Sequence, residues 1–135
     1  MAKKGDLEQQ LAQQIADAGL PEPERHCRTF IPDRRLEADF LWRFPYQVGE
    51  PWPRGLAVEV QGGLWMPGTK TGRGRGHAHP TSIERDCEKA ILAQRAGWLF
   101  FPVTGKQIAK GLAICWIADA LFEYGLIGEE RGELA

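Results

Sequence analysis

The chain lacks the features that mark secreted and membrane-spanning proteins. Its three cysteines are Cys27, Cys87 and Cys115, an odd number without a C-x-x-C spacing. Free, mostly buried thiols in a reducing compartment are therefore expected. No apolar run approaches the roughly 20 residues that cross a bilayer, and the N-terminus has no apolar signal segment. We expect a cytoplasmic protein with no membrane contact.

The chain also lacks the strong net charge of many nucleic-acid-binding proteins, since its formal net charge is −1. The charge is nevertheless uneven, because one glycine-rich stretch contains basic side chains and no acid: Lys70, Arg73, Arg75, His77 and His79. Such a stretch can bind a polyanion such as the DNA backbone. Two alternatives stay open, a zinc site formed by His77 and His79 with a cysteine, and a solvated flexible loop.

With 135 residues, of which 43% are hydrophobic and 26% charged, one domain spanning residues 1–135 is expected. Hydrophobic periodicity and capping patterns predict helices at 6–19, 81–97 and 105–124, and strands at 26–31, 36–44, 56–62 and 98–103. The order α-β-β-β-α-β-α predicts an α/β fold. Its sheet should be mixed, with three antiparallel strands and a parallel fourth strand reached through a helix.

The central strands place acidic residues on a mostly apolar sheet. Side chains alternate along a strand, so Glu59 and Gln61 project to the same side, and pairing of the two strands brings Asp39 beside Glu59. Neighbouring carboxylates repel each other and lose hydration when buried, and a divalent metal relieves both penalties. The pair is therefore a candidate metal-dependent active site. The alternative is that Glu59 lies on the exposed face of an ordinary sheet.

An Asp on one strand and Glu-x-Lys on the next, within an αβββαβ core, resembles the PD-(D/E)xK nuclease superfamily. Asp39 and Glu59-Val60-Gln61 stand at those positions, and Glu8 matches the acid that many members carry on the preceding helix. Residues 6–103 are most similar to small phage-type nucleases of the VRR-NUC and Holliday-junction-resolvase kind. The resemblance implies a restriction-endonuclease-like core, with residues 105–124 as an additional C-terminal helix. It also implies the cytoplasm of a bacterium or a phage-infected host.

The resemblance implies that Asp39, Glu59 and the carbonyl of Val60 bind Mg²⁺, for which Mn²⁺ can substitute, with Glu8 supporting the site. Glu8 has an alternative role, since an acid near a helix N-terminus also interacts with the helix dipole. Gln61 departs from the pattern, because an amide orients water by hydrogen bonds but supplies no positive charge. The first candidate for the missing cation is Lys89, and the second is Arg85.

The implied function is a metal-dependent DNA endonuclease that acts on four-way junctions or other branched DNA. Contacts with the DNA backbone are expected from Lys70, Arg73, Arg75, His77, His79 and Arg85. Apolar residues on more than one face of the last helix favour a homodimer, which two symmetric cuts would also require. The alternatives are a nuclease of linear duplex, a non-catalytic DNA-binding module, and a structural subunit that dimerises without nucleic acid.

Overall fold

The computed structural model describes residues 3–45, 49, 51–62 and 80–128. Within them a four-stranded mixed sheet has helices on both faces. The elements are α1 (Lys4–Asp17), β1 (Glu24–Cys27), β2 (Ala38–Arg43), β3 (Gly55–Gln61), α2 (Pro80–Arg95), β4 (Trp98–Thr104), α3 (Gly105–Ala109) and α4 (Leu112–Glu123). The predicted α/β class is therefore confirmed.

The strands lie in the order β1-β2-β3-β4. The pairs β1–β2 and β2–β3 are antiparallel, and β4 pairs with β3 in parallel. This is the predicted arrangement of a meander followed by a strand reached through a helix. Because β2 and β3 have neighbours on both sides, residues at their centres are removed from water, and any charge there needs a partner.

Two apolar clusters cover the two faces of the sheet. On one face α1, α3 and α4 pack on β2 and β3, and the fully buried residues include Leu11, Phe40, Val58, Ile117 and Leu121. On the other face α2 contributes Ala93, which packs with residues of the sheet and the β1–β2 connection: Cys27, Phe30, Ile31, Ala38, Leu41, Ala57 and Trp98. The sheet is thus held from both sides, which fixes the positions of the polar residues at its end.

Several predicted boundaries are wrong. The first helix begins at Lys4 and has Lys3, not Asp6, as its N-cap. The first strand is Glu24–Cys27 instead of 26–31. The C-terminal helix predicted at 105–124 is divided, because Gly111 takes a left-handed φ of 78° between α3 and α4, although Thr104 and Gln107 form the expected capping box. The thiols are free as expected, but only Cys27 is buried.

The residues of α2 that face the sheet are not all apolar. Ile83 and Ile91 are 51% and 56% exposed. The side turned to the sheet carries instead Lys89, Leu92, Ala93 and Ala96, which follow the spacing i, i+3, i+4 and i+7. A lysine therefore occupies a position that hydrophobic periodicity assigns to an apolar residue.

The predicted basic stretch, Lys70, Arg73, Arg75, His77 and His79, lies outside the described residues. Its anchor points are described, since Gly62 follows β3 directly and Pro80 begins α2. In the described parts of the chain, no helix combines the length and the apolar character needed to cross a membrane.

Gly55 permits the close approach of β3 to its neighbours. A Cβ at this position would lie 2.0 Å from the carbonyl oxygen of Trp42 and 2.7 Å from the ring of Trp98. We expect Gly55→Ala to lower the free energy of unfolding by about 3 kcal/mol or more, measured by urea denaturation. The matched control is Gly5→Ala in α1, where a Cβ meets nothing within 4 Å. There alanine should raise stability by roughly 0.5–1 kcal/mol, and equal effects at the two sites would contradict the packing described here.

Candidate metal centre

A row of polar side chains crosses three strands at one end of the sheet. The ladder pairs Arg25 with Phe40 and Cys27 with Ala38, which places His26 opposite Asp39. Phe40 pairs with Val58 in the next, antiparallel ladder, so the residue before Phe40, Asp39, lies opposite the residue after Val58, Glu59. The strand register therefore brings together two carboxylates and an imidazole that are distant in the sequence.

Asp39 is the most enclosed member of the row, with 1% exposure. Its Oδ2 accepts a hydrogen bond of 2.8 Å from the backbone N–H of Val60. This bond fixes one carboxylate oxygen and leaves the other side of the group available to cations. Val60 thus contacts Asp39 through its backbone, while its side chain is buried in the core.

The ammonium group of Lys4 lies among three carboxylates. Its Nζ is 3.1 Å from Asp39 Oδ2, 3.7 Å from Glu59 Oε2 and 3.9 Å from Glu8 Oε2. Burial on its own would lower the pKa of Lys4, but the nearby Glu59, Asp39 and Glu8 carboxylates outweigh it and raise that pKa. Three acids from α1, β2 and β3 therefore already converge on one positive charge.

Glu59 is held from the opposite side by Lys89 of α2. The Lys89 Nζ lies 2.5 Å from Glu59 Oε1 and also donates to the backbone carbonyl of Glu37. Burial and the charge of Asp39 raise the pKa of Glu59 in spite of the two lysines. A carboxylate whose ionised form is disfavoured gains from a further cation. Glu59, Gln61 and Lys89 also line a cavity of about 260 Å³, so Gln61 projects to the same side as Glu59.

Glu8 extends the acidic group from the helix side. It is 8% exposed, and its Oε1 accepts a hydrogen bond of 3.1 Å from Arg25. The same oxygen is 3.2 Å from His26 Nε2. The other nitrogen of His26, Nδ1, is 2.5 Å from Glu37 Oε2, and the second oxygen of Glu37 accepts from Arg28 Nε at 3.2 Å. Hydrogen bonding to His26 and Arg28 lowers the pKa of Glu37.

These residues fit a metal ion. Glu8, His26 and Asp39 each present one ligand atom, and the three atoms lie within 4.8 Å of one another. Glu59 is joined to the same group through the shared ammonium of Lys4. Carboxylate oxygens are the ligands that hard divalent cations prefer, and an imidazole nitrogen adds affinity for transition ions. The Lys4 ammonium marks where positive charge is favourable.

The structure brings together most of the predicted site. Glu8, Asp39, Glu59, Gln61 and Lys89 lie at one end of the sheet, whereas Arg85 is exposed on α2 and has no described contact with this group. Lys4, His26 and Glu37 also belong to the group and were not predicted from the sequence. The spacing of Lys4 and Glu8 at i, i+4 was a usable signal, and Glu37 alternates onto the side of Asp39.

Comparison with known proteins adds no information on this centre. No protein-family model matches the chain, no curated protein matches it, and no solved structure matches it. The resemblance to the PD-(D/E)xK superfamily therefore rests on residues of this chain, namely Asp39 and Glu59-Val60-Gln61 on adjacent strands.

Removing the Lys4 ammonium should strengthen metal binding. The Lys4→Met variant leaves Asp39, Glu59 and Glu8 without the cation they share, so a divalent ion no longer competes with it. We expect on the order of tenfold tighter binding of Mn²⁺ by calorimetry and a less stable metal-free protein, since each partly exposed ion pair contributes up to about 1 kcal/mol. Lys3→Met makes the same charge change at the exposed neighbouring residue. If both variants bound Mn²⁺ like the wild type, Lys4 would not share the metal's position.

Proposed function

We propose that this protein is a metal-dependent DNA endonuclease with a restriction-endonuclease-like core, and that branched DNA such as a four-way junction is its substrate. One observation carries the proposal: acids from α1, β2 and β3 converge on a single cation at one end of a mixed sheet. Glu8 and Glu59 also pair with Arg25 and Lys89, so each acid already has one cation. An ion of higher charge would therefore take the place of the Lys4 ammonium that all three acids share.

Asp39 and Glu59 are the proposed ligands of Mg²⁺, for which Mn²⁺ can substitute. The Val60 carbonyl is proposed as a further ligand, and Glu8 supports the site. A bound divalent ion supplies Lewis-acid stabilisation of the phosphate and a nucleophilic water at neutral pH. Gln61 lines the same cavity as Glu59, and its amide would orient that water by hydrogen bonds. Lys89 holds the Glu59 carboxylate in position and supplies the positive charge that Gln61 lacks.

The surroundings of the centre suit a polyanionic substrate. The His26 side chain is 48% exposed, so the centre is open to solvent on the β1 side. The stretch proposed to contact the DNA backbone, which contains Lys70, Arg73, Arg75, His77 and His79, connects β3 to α2, and both of these elements contribute to the site. Arg85, exposed on α2, is proposed to extend this contact. Phosphate contacts of this kind position a duplex without selecting a sequence.

The proposal is tested by incubating the protein with a four-way junction, a linear duplex and a flap, each with and without Mg²⁺. We expect Mg²⁺-dependent cleavage, fastest on the junction. Asp39→Asn and Glu59→Gln should reduce the rate at least about a thousandfold, because metal catalysis contributes several kcal/mol. Lys89→Met should reduce it by roughly ten- to a hundredfold while junction binding persists.

Glu24→Gln is the matched control, since within the described residues this exposed carboxylate pairs with Arg43 and not with the centre. Its rate should equal that of the wild type. Absence of cleavage on every substrate would falsify the enzyme proposal. Salt-dependent binding that ignores Glu59→Gln and EDTA would then favour a non-catalytic DNA-binding module. Fastest cleavage of linear duplex would indicate a restriction- or repair-type nuclease.

A homodimer belongs to the same proposal, because symmetric cuts across a junction need two active sites. Its support is the exposed apolar surface of α4, where Leu112, Trp116 and Phe122 are each at least 41% exposed. Sedimentation at assay concentration should give twice the 15.1 kDa of one chain. Trp116→Glu should yield the monomer, whereas the exposed substitution Asp119→Asn should not. A monomeric wild type would exclude this part of the proposal.

A further inference from the structure

We propose that His26 is a metal ligand through Nε2 and that Glu37 positions it, so that the centre selects first-row transition ions over Mg²⁺. This inference deepens the proposed function by naming the cofactor class. It rests on the metal centre and does not depend on DNA cleavage.

The hydrogen bonds of His26 leave Nε2 available for a metal. The Nδ1 atom is 2.5 Å from Glu37 Oε2, which only accepts hydrogen bonds, so the proton of a neutral imidazole lies on Nδ1. Arg28 holds the other oxygen of Glu37 at 3.2 Å. A carboxylate behind the far nitrogen of a histidine is the usual support for a metal-ligating imidazole, because it fixes the tautomer and the ring orientation.

The Nε2 atom then faces another acceptor. It lies 3.2 Å from Glu8 Oε1, and a nitrogen lone pair facing a carboxylate oxygen is unfavourable unless a proton or a metal ion lies between them. A metal ion can therefore take the place of a proton at this nitrogen. Asp39 completes the group, since the ligand atoms of Glu8, His26 and Asp39 lie within 4.8 Å of one another. A metal ion bound by all three would make the two opposed acceptors, Nε2 and Oε1, ligands of one cation.

The backbone at this point is consistent with a positioned residue. His26 has a φ of 53°, in the left-handed region, while Cys27 beside it points into the core. For a side chain with a Cβ this conformation is strained. The conformation lets the short strand β1 bury Cys27 and also direct the imidazole to Glu8 and Glu37.

The donor set determines the choice of metal. Mg²⁺ takes oxygen ligands and retains several waters, whereas imidazole suits Zn²⁺, Co²⁺ and related ions. Two carboxylates and a supported imidazole therefore favour Co²⁺ and Zn²⁺ most, Mn²⁺ next and Mg²⁺ least, following the general order of affinities. Asp39 and Glu59 alone would give a weaker preference, since they supply only oxygen ligands.

The test is calorimetric titration of EDTA-treated protein with MgCl₂, MnCl₂ and CoCl₂, with the visible absorption of bound Co²⁺ as a second readout. His26→Asn is the informative variant, because asparagine tolerates a positive φ and keeps an oxygen donor. We expect it to weaken Co²⁺ binding at least about tenfold and to change the Co²⁺ spectrum, while Mg²⁺ binding stays within about threefold. Glu37→Gln should weaken Co²⁺ binding by about ten- to a hundredfold with His26 present.

Two controls separate this centre from other sources of Co²⁺ binding. Glu24→Gln removes a carboxylate of the same strand whose ion pair in the described part of the chain is with Arg43, and it should leave Co²⁺ and Mg²⁺ binding unchanged. A His77→Ala/His79→Ala double variant should keep the Co²⁺ affinity and spectrum. Loss of Co²⁺ binding there, or equal losses for Co²⁺ and Mg²⁺ in His26→Asn, would overturn the inference. Selective Co²⁺ binding without any DNA cleavage would uphold this centre and reject only the nuclease.

Discussion

The burial of the Asp39 carboxylate is the constraint on which the rest of the site depends. Asp39 is 1% exposed near the end of a central strand of the four-stranded sheet, where an unpaired charge is strongly destabilising. The chain compensates with a backbone donor from Val60 and with the ammonium of Lys4. Lys4 is available only because the first turn of α1 lies against this end of the sheet, so the packing of α1 and the charge of Asp39 support each other.

The neighbouring acids raise the electrostatic cost of burying the Asp39 carboxylate. Glu59 stands opposite Asp39 in the register, and Glu8 reaches the group from α1. Each acid forms an ion pair with a cation from a different element: Asp39 with Lys4 of α1, Glu8 with Arg25 of β1, and Glu59 with Lys89 of α2. These ion pairs do not remove the whole cost of burying the acids, since burial still raises the pKa of Glu59. Glu59 would therefore gain from a cation of higher charge in the place of Lys4.

Sequence patterns were sufficient for the sheet and for two of the acids. Alternation along the strands placed Glu59 beside Gln61, and the short β2–β3 connection made the pairing of Asp39 with Glu59 predictable. The cationic partners were harder to predict, because each depends on an exact boundary or on helix packing. Because the predicted first strand began two residues too late, the pairing of His26 with Asp39 was not predicted. Lys89 was predicted as the source of the missing cation, but its direct pairing with Glu59 depends on which face of α2 packs on the sheet.

The count of charges at the centre bears on the glutamine at position 61. Four acids, Glu8, Glu37, Asp39 and Glu59, are matched by four permanent cations, Lys4, Arg25, Arg28 and Lys89. A lysine at position 61 would exceed this balance, whereas glutamine keeps it.

A divalent ion would exceed the balance as well, so its binding requires that a chain cation withdraw. Lys89 is poorly suited to leave, being 13% exposed and bonded to both Glu59 and the Glu37 carbonyl. Lys4 is 42% exposed on the first turn of α1 and is held only by the acids that a metal would neutralise. On the proposed function, metal binding would therefore release Lys4 toward solvent at the edge of the centre, where a substrate phosphate would supply its next partner.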